Sequence, residues 1–335
     1  MSSAAVRAGS VRWSTAMEHA LYGPNGFYVA REGAAGHFRT SATASTSARE
    51  IFAAALGELL QRVDTSLGHP DSLNCVEVGG GSGDLLEAVL GSLGFGLRSR
   101  VRPAVVELRP RHPGLSAAVR WLDAVPDLTG LLFANEWLDN VPIDVLVDGR
   151  VLLVDETGVE SCGPAPATEE TVWLARWWPS GSRREIGLRR DAAWAGALSR
   201  VRRGLAVAVD YSHTAADRPA YGTLTGFRRG RETEPIPDGS SDLTAHVAID
   251  SVAAAGEHAV DSTGLPVRTL LLDQRRALRS LGVSGRRPDF GADPGGFAAA
   301  LKRASDSAEL IDPAGLGAFT WLLQGVDLDP AAIFL

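Results

Sequence analysis

The feature that most constrains this chain is a glycine cluster at one fixed place, Val76-Glu77-Val78-Gly79-Gly80-Gly81-Ser82-Gly83. A short β-type run, Asn74 to Val78, leads into it, and a helical pattern, Asp84 to Leu93, leads out. Glycines let the backbone turn sharply and approach a ligand with no Cβ in the way. The helix start beyond offers unpaired N–H groups and the positive end of the helix dipole. In open α/β sheets, ligands bind outside the carboxyl ends of strands near the topological switch point. A glycine cluster alone is also compatible with a plain strand-to-helix turn, so the following strands must decide.

Those strands are legible. Arg102 to Glu107 and Gly130 to Ala134 are apolar runs, the latter ending at Asn135-Glu136, and Leu205 to Asp210 is another. Arg150 to Asp155 suggests a hairpin-like strand, and Ala318 to Gln324 a closing one. Helical patterns cover Ala16 to Tyr22, Ala48 to Val63, Ala192 to Val201 and Leu270 to Leu281. The Ser/Thr-rich stretch Thr40 to Ser47 is suited to cap the second of these. Strands alternating with helices predict a mostly parallel, doubly wound sheet covered on both faces. Four stretches follow: an N-terminal helical, substrate-entry segment (1–65), a Rossmann-like core (66–211), a substrate-facing insertion (212–265) and a C-terminal helix with closing strands (266–335). Ser212 to Asp242, rich in Gly, Pro, Arg and Thr, is expected to be irregular.

The ligand can be narrowed by elimination. A dinucleotide fingerprint needs G-x-G-x-x-G, and counting from Gly79 or Gly81 the sixth position is Asp84 or Leu86. A phosphate-binding Walker loop needs a lysine, and none is here. S-adenosylmethionine (SAM) needs a tight glycine turn under its methionine end and a carboxylate for its ribose hydroxyls. Glu107, at the end of the next strand and 24 residues after Gly83, supplies that carboxylate. The expected cofactor is SAM, held by Glu77, Gly79, Gly81, Gly83, Glu107 and Asn135.

Composition excludes other classes. The formal net charge is −7, so the chain lacks the basic footprint of a nucleic-acid binder. Lys302 is the only lysine, and the arginine excess beside abundant Ala and Gly reads as codon bias, which suits a bacterial chain. No stretch of 18 or more apolar residues exists, and the first residues lack the apolar region of a secretory signal. Cys75 and Cys162 stand far apart without metal-ligand spacing, so no metal is expected. No membrane partner and a cytoplasmic location are expected.

With these pieces in order, the chain resembles the MidA/NDUFAF7-like family of SAM-dependent methyltransferases over nearly its whole length. The matching pieces are Tyr22 to Tyr28, Gly36 to Ser41, Val76 to Gly83, Val106-Glu107, Ala134 to Pro142, Val209 to Tyr211, Gly222-Thr223-Leu224, Asp242 to Val247, and Gln274 ahead of Leu281-Gly282-Val283. The resemblance implies a class I SAM-methyltransferase fold, Rossmann-like, with an added substrate-facing region. It also implies methylation of arginine, as in the family's mitochondrial branch, which is regarded as a protein-arginine methyltransferase. Two departures stand out. The family's Gly-Asp-Phe is Gly36-His37-Phe38 here, and its Thr-Ser-Pro-Glu is Thr40-Ser41-Ala42-Thr43.

Methyl transfer from a sulfonium is an in-line displacement, so the protein's work is positioning and electrostatics. Glu136 and Asp139, beyond the strand ending at Ala134, suit a cationic acceptor such as a guanidinium. Asp210 and Tyr211 end the next strand, and Tyr28 lies in the first matching piece. Asp242 and His246, four apart, are expected to share a helix face, with His246 as a general base. The catalytic set is thus Glu136, Asp139 and His246, and the substrate-binding set is Tyr28, Asp210, Tyr211 and Asp242. The acceptor is arginine, free or as a small guanidino metabolite, or an arginine in a protein. Two other readings stand beside this one: a non-catalytic SAM-binding assembly factor, and an O-methyltransferase of a small metabolite. A homodimer is compatible with the family analogy.

Overall fold

A computed structural model describes residues 9–29, 45–261, 264–289, 291 and 295–334. The Gly36 to Thr43 segment, with His37, lies outside the described residues. The chain forms two compact units that interleave along the sequence. One comprises residues 39–137, 197–210 and 257–335, the other residues 1–38, 138–196 and 211–256.

The first unit is built on a seven-stranded sheet. Its strands are β1 (Leu73–Val78), β2 (Val101–Val106), β3 (Arg120–Leu122), β4 (Leu128–Asn135), β5 (Val201–Asp210), β6 (Val267–Asp273) and β7 (Thr320–Val326). Their spatial order is β6-β7-β5-β4-β1-β2-β3. The pairs β5/β4, β4/β1, β1/β2 and β2/β3 are parallel, and β7 runs antiparallel to both its neighbours. The chain turns outward in both directions from β1 and β4, which makes their carboxyl ends the switch point.

Central strands are apolar on both faces, as strands buried on both sides require. Leu131, Leu132, Phe133, Leu205, Ala206 and Val207 are all buried. Helix α1 (Thr46–Ser66) buries Ile51, Phe52, Ala55, Leu56, Leu59, Leu60 and Val63, a repeat at helical spacing. Ser45 caps it by accepting from the Ala48 N–H at 2.9 Å, as the Ser/Thr-rich stretch leads one to expect. The ring of Phe52 meets Trp321 of β7 edge-on at 5.9 Å.

The stretch from Leu270 to Leu281 corrects the sequence expectation. It is strand through Asp273 and helix α2 (Gln274–Ser280) only afterwards. Leu270, Leu271 and Leu272 satisfy a strand register against β7 as well as they would a helix face. Asp273 ends the strand and caps the helix, accepting from the Arg276 N–H at 2.7 Å.

In the second unit, helix Trp13–Tyr22 packs on strands Asp144–Val147 and Arg150–Val154 through Trp13, Met17, Leu21, Ile143 and Val145. The two strands form an antiparallel hairpin across Asp148-Gly149, both at positive φ. Ser212 to Asp242 is less irregular than its composition suggests. Strands Thr225–Arg228 and Arg231–Thr233 pair across Arg229-Gly230, and Asp242–Thr244 adds a third strand. Asp242 therefore stands on a strand, and His246 lies beyond its end, so the two do not share a helix face. No helix among the described residues is long and apolar enough to cross a membrane.

Candidate functional site

In the first unit the glycine turn sits at the carboxyl end of β1. Gly79, Gly81 and Gly83 all have positive φ, at 69°, 61° and 84°. A Cβ at Gly79 would lie 2.7 Å from Trp137 Cδ1, and one at Gly81 would lie 2.9 Å from Arg109 Nη2. Only glycine fits both the conformation and the space. Gly83 is the N-cap of helix α3 (Asp84–Ser92).

Two carboxylates hold this turn from different sides. Glu107, beyond the end of β2, accepts from the Gly81 N–H at 2.9 Å and from the Arg109 N–H at 3.1 Å. The Arg109 guanidinium lies 3.5 Å from the same carboxylate. Glu77 points the other way, into the core under Gly80, and accepts from the Leu86 N–H at 3.2 Å. Burial pushes its carboxyl up to about 8, against the lowering effect of that hydrogen bond.

Asn135 and Glu136 form the tip of β4. The Asn135 Nδ2 donates to Glu136 Oε1 at 3.0 Å, and the Glu136 N–H donates to Val209 O at 2.8 Å. Among the described residues Asn135 Oδ1 is buried with no hydrogen-bond partner, a state that calls for a further donor. Glu136 is half-buried and adopts φ 51°, a left-handed conformation that costs a non-glycine residue about 1–3 kcal/mol. Asp210 is buried at the end of β5. Polar groups therefore surround the glycine turn: an amide oxygen at the tip of β4, the N-terminus of helix α3, and a carboxylate at the next strand end. They suit the ammonium, carboxylate and ribose hydroxyls of an amino-acid nucleoside.

The second unit gathers Tyr28, Asp139, Tyr211, Asp242 and His246. Tyr211 donates to the Asp139 carboxylate, and Thr244 Oγ1 donates to Asp139 Oδ2 at 2.8 Å. The phenol and the Thr244 hydroxyl are 2.5 Å apart. Asp242 accepts from the Tyr28 phenol at 3.1 Å and from Asn140 Nδ2 at 3.1 Å, and Tyr28 also donates to Asn140 Oδ1 at 2.9 Å. The His246 ring meets the Tyr211 ring edge-on at 5.1 Å.

Burial governs the charge of this cluster. It pushes the Asp242 carboxyl up to about 8, helped by the neighbouring Asp139, and raises Asp139 as well. It lowers His246, keeping the imidazole neutral near pH 7. Burial also raises the Tyr28 phenol well above its ordinary value. Among the described residues, no group of three His, Cys, Asp or Glu side chains could hold a metal ion.

Sequence reading missed several members of these groups. Thr244 and Asn140 sit inside the matching pieces but carry no chemistry of their own. Arg190, Arg109 and Glu185 gave no signal at all. Period-2 alternation in Asp242-Leu243-Thr244, with both polar residues on one face of a strand, was the available clue for Thr244.

Comparison with known proteins agrees with the geometry. The model of a family described as "Putative S-adenosyl-L-methionine-dependent methyltransferase" matches residues 55–265. A protein from Burkholderia thailandensis bound to S-adenosyl-homocysteine superposes with a TM-score of 0.78 at 26% identity, covering 96% of this chain and 89% of that one. The native crystal structure of an uncharacterized protein of the same superfamily and organism gives 0.78 and 26%, covering 98% and 90%. No curated protein matches the sequence significantly.

Proposed function

Because the chain belongs to this family of SAM-dependent methyltransferases, we propose that it methylates a guanidinium nitrogen, of arginine or a small guanidino metabolite, or of an arginine in a protein. SAM supplies, when bound, a methyl group made electrophilic by its sulfonium. The residues suited to hold it are Gly79, Gly81, Gly83, Glu107 and Asn135, with Glu77 supporting the turn from beneath.

The observation that carries the acceptor reading is Glu136. A half-buried carboxylate is held at the tip of a central strand in a strained left-handed conformation, with Asn135 gripping one of its oxygens. Strain of this kind persists where the surrounding structure over-determines it, commonly at functional sites. A fixed carboxylate recognises a guanidinium through paired N–H donors and draws its charge away from one nitrogen.

Other side chains have narrower parts in this reading. Asp139, its carboxylate engaged by Tyr211 and Thr244, orients the Tyr211 phenol. Tyr211, Tyr28 and Asp242, gathered in the second unit, are the proposed substrate-binding residues. His246, neutral through burial, takes the proton that a guanidinium must shed. Asp210, buried at the end of β5, is the remaining proposed substrate-binding residue.

The test is Glu136→Gln with labelled SAM. Methyl transfer should fall about 100-fold or more, while S-adenosyl-homocysteine affinity stays within about 2-fold of the wild type, well under 1.4 kcal/mol. Unchanged turnover would remove Glu136 from the acceptor site. The acceptor itself is found by adding free arginine to a lysate. Label in the soluble amino-acid fraction marks a metabolite acceptor, and label in acid-precipitable protein marks a protein acceptor. Label in neither, with SAM still bound, favours the binding-factor reading. If His246 is essential and Glu136 dispensable, O-methylation is favoured.

A further inference from the structure

Arg190 is buried, on the first turn of helix Leu188–Leu198. Burying a guanidinium is costly unless its donors are satisfied. Here Nε donates to Val141 O at 3.0 Å, Nη1 donates to Ala245 O and His246 O at 2.9 Å each, and Nη2 donates to Asp139 O at 2.5 Å. One side chain thus grips two backbone turns that lie about 100 residues apart in the chain. The first turn carries Asp139 and the second carries His246, and between their side chains lies Tyr211. The Ala245 N–H donates to Asp139 O at 3.4 Å, so the two turns also meet directly where Arg190 binds.

A second, independent tie reaches the same turn. Thr223 Oγ1 accepts from the His246 N–H at 2.8 Å and donates to Glu185 Oε2 at 2.7 Å. Glu185 also accepts from the Thr223 N–H at 2.5 Å and the Leu224 N–H at 2.7 Å. Glu185 and Arg190 are five residues apart, so a single short segment fixes the backbone around His246 from two directions.

We propose that Arg190 is a positioning residue for the acceptor side: its fork sets Asp139 and His246 against Tyr211, and it places a fixed cation beside both. The inference rests on the reading that the Asp139–Tyr211–His246 cluster serves the methyl acceptor. The charged and titratable groups facing His246 are Arg190, Glu185, Asp139 and Glu232, with His213 and the Tyr211 phenol nearby. Arg190 disfavours a protonated imidazole, and the three carboxylates favour it. The same cation favours ionised Asp139.

The experiment needs no acceptor, so it stands apart from the arginine reading. Full-length wild type, Arg190→Gln and Arg190→Lys are compared by NMR of the histidine ring protons, with His246 assigned through His246→Asn. Circular dichroism confirms the fold of each. Gln removes the charge, and the His246 pKa should rise. Lys keeps a point charge and loses the fork. In Arg190→Lys the His246 ring protons should lose the ring-current shift imposed by Tyr211, approaching their values in Tyr211→Leu. A folded Arg190→Gln whose His246 titrates as in the wild type overturns the electrostatic half. Unchanged ring-proton shifts in Arg190→Lys overturn the positioning half, and this variant decides alone if Arg190→Gln fails to fold. With an acceptor in hand, kcat should fall more than 10-fold in both variants, with S-adenosyl-homocysteine affinity held.

Discussion

Asp242 carries a pH signature whose sign can be worked out. Its carboxyl is raised by burial and by Asp139 to about 8, above the ordinary carboxylate value near 4. The folded state therefore prefers the neutral acid. The resulting stability is fully present below about pH 4 and is lost as pH rises through about 8. Asn at this position keeps an oxygen for the Tyr28 and Asn140 donors and removes the charge. Asp242→Asn should melt higher than the wild type, with the gap wider by about 2 °C or more at pH 8 than at pH 5. Glu77, raised to a similar value, leaves a residual pH dependence in both proteins, so the comparison is between variant and parent. At this scale the sequence exposed residues whose chemistry depends on their type and place in a motif, such as Glu107 and the glycines of positive φ. It hid Arg190, because one arginine among 32 carries no mark of burial. It also hid the inward turn of Glu77, since a motif spacing does not say on which side of a turn a carboxylate lies.

Among the elements, β1, α3 and the strands on either side were legible because turn chemistry and apolar runs agreed there. The β6–α2 join was not, since three consecutive leucines fit both periods and only pairing with β7 selects the strand. The hairpin across Arg229-Gly230 was masked by a Gly- and Arg-rich composition that suggests irregular chain. The helix that supports the sheet gives a direct test of packing. Phe52 is fully buried, with its ring edge on Trp321 of β7. Phe52→Ala should destabilise the protein by about 3–5 kcal/mol through lost burial and a cavity, read from urea unfolding followed by tryptophan fluorescence. A cost under about 1 kcal/mol would mean that α1 packs more loosely on β7 than this contact implies.

For the chain as a whole, ligand linkage separates the two glutamates of the cofactor motif. A ligand that binds only the folded state at 100 times its Kd adds about 2.7 kcal/mol of stability, so S-adenosyl-homocysteine should raise the melting temperature clearly. Glu107 holds the turn through the Gly81 and Arg109 N–H groups, and we propose that it also accepts from the ribose hydroxyls of the ligand. Glu107→Ala removes both functions, and the ligand-induced shift should disappear. Gly81→Ala forces a side chain into a left-handed φ of 61° with its Cβ 2.9 Å from Arg109 Nη2, and should act in the same direction. Glu77 differs in kind. It lies in the core, its carboxyl is raised to about 8, and it accepts from the Leu86 N–H. Gln keeps that acceptor oxygen, so Glu77→Gln should retain the shift in full. Differential scanning fluorimetry across a ligand titration reads all four proteins. A shift lost in Glu77→Gln and kept in Glu107→Ala would exchange the two assignments and make the buried carboxylate the one that meets the ligand.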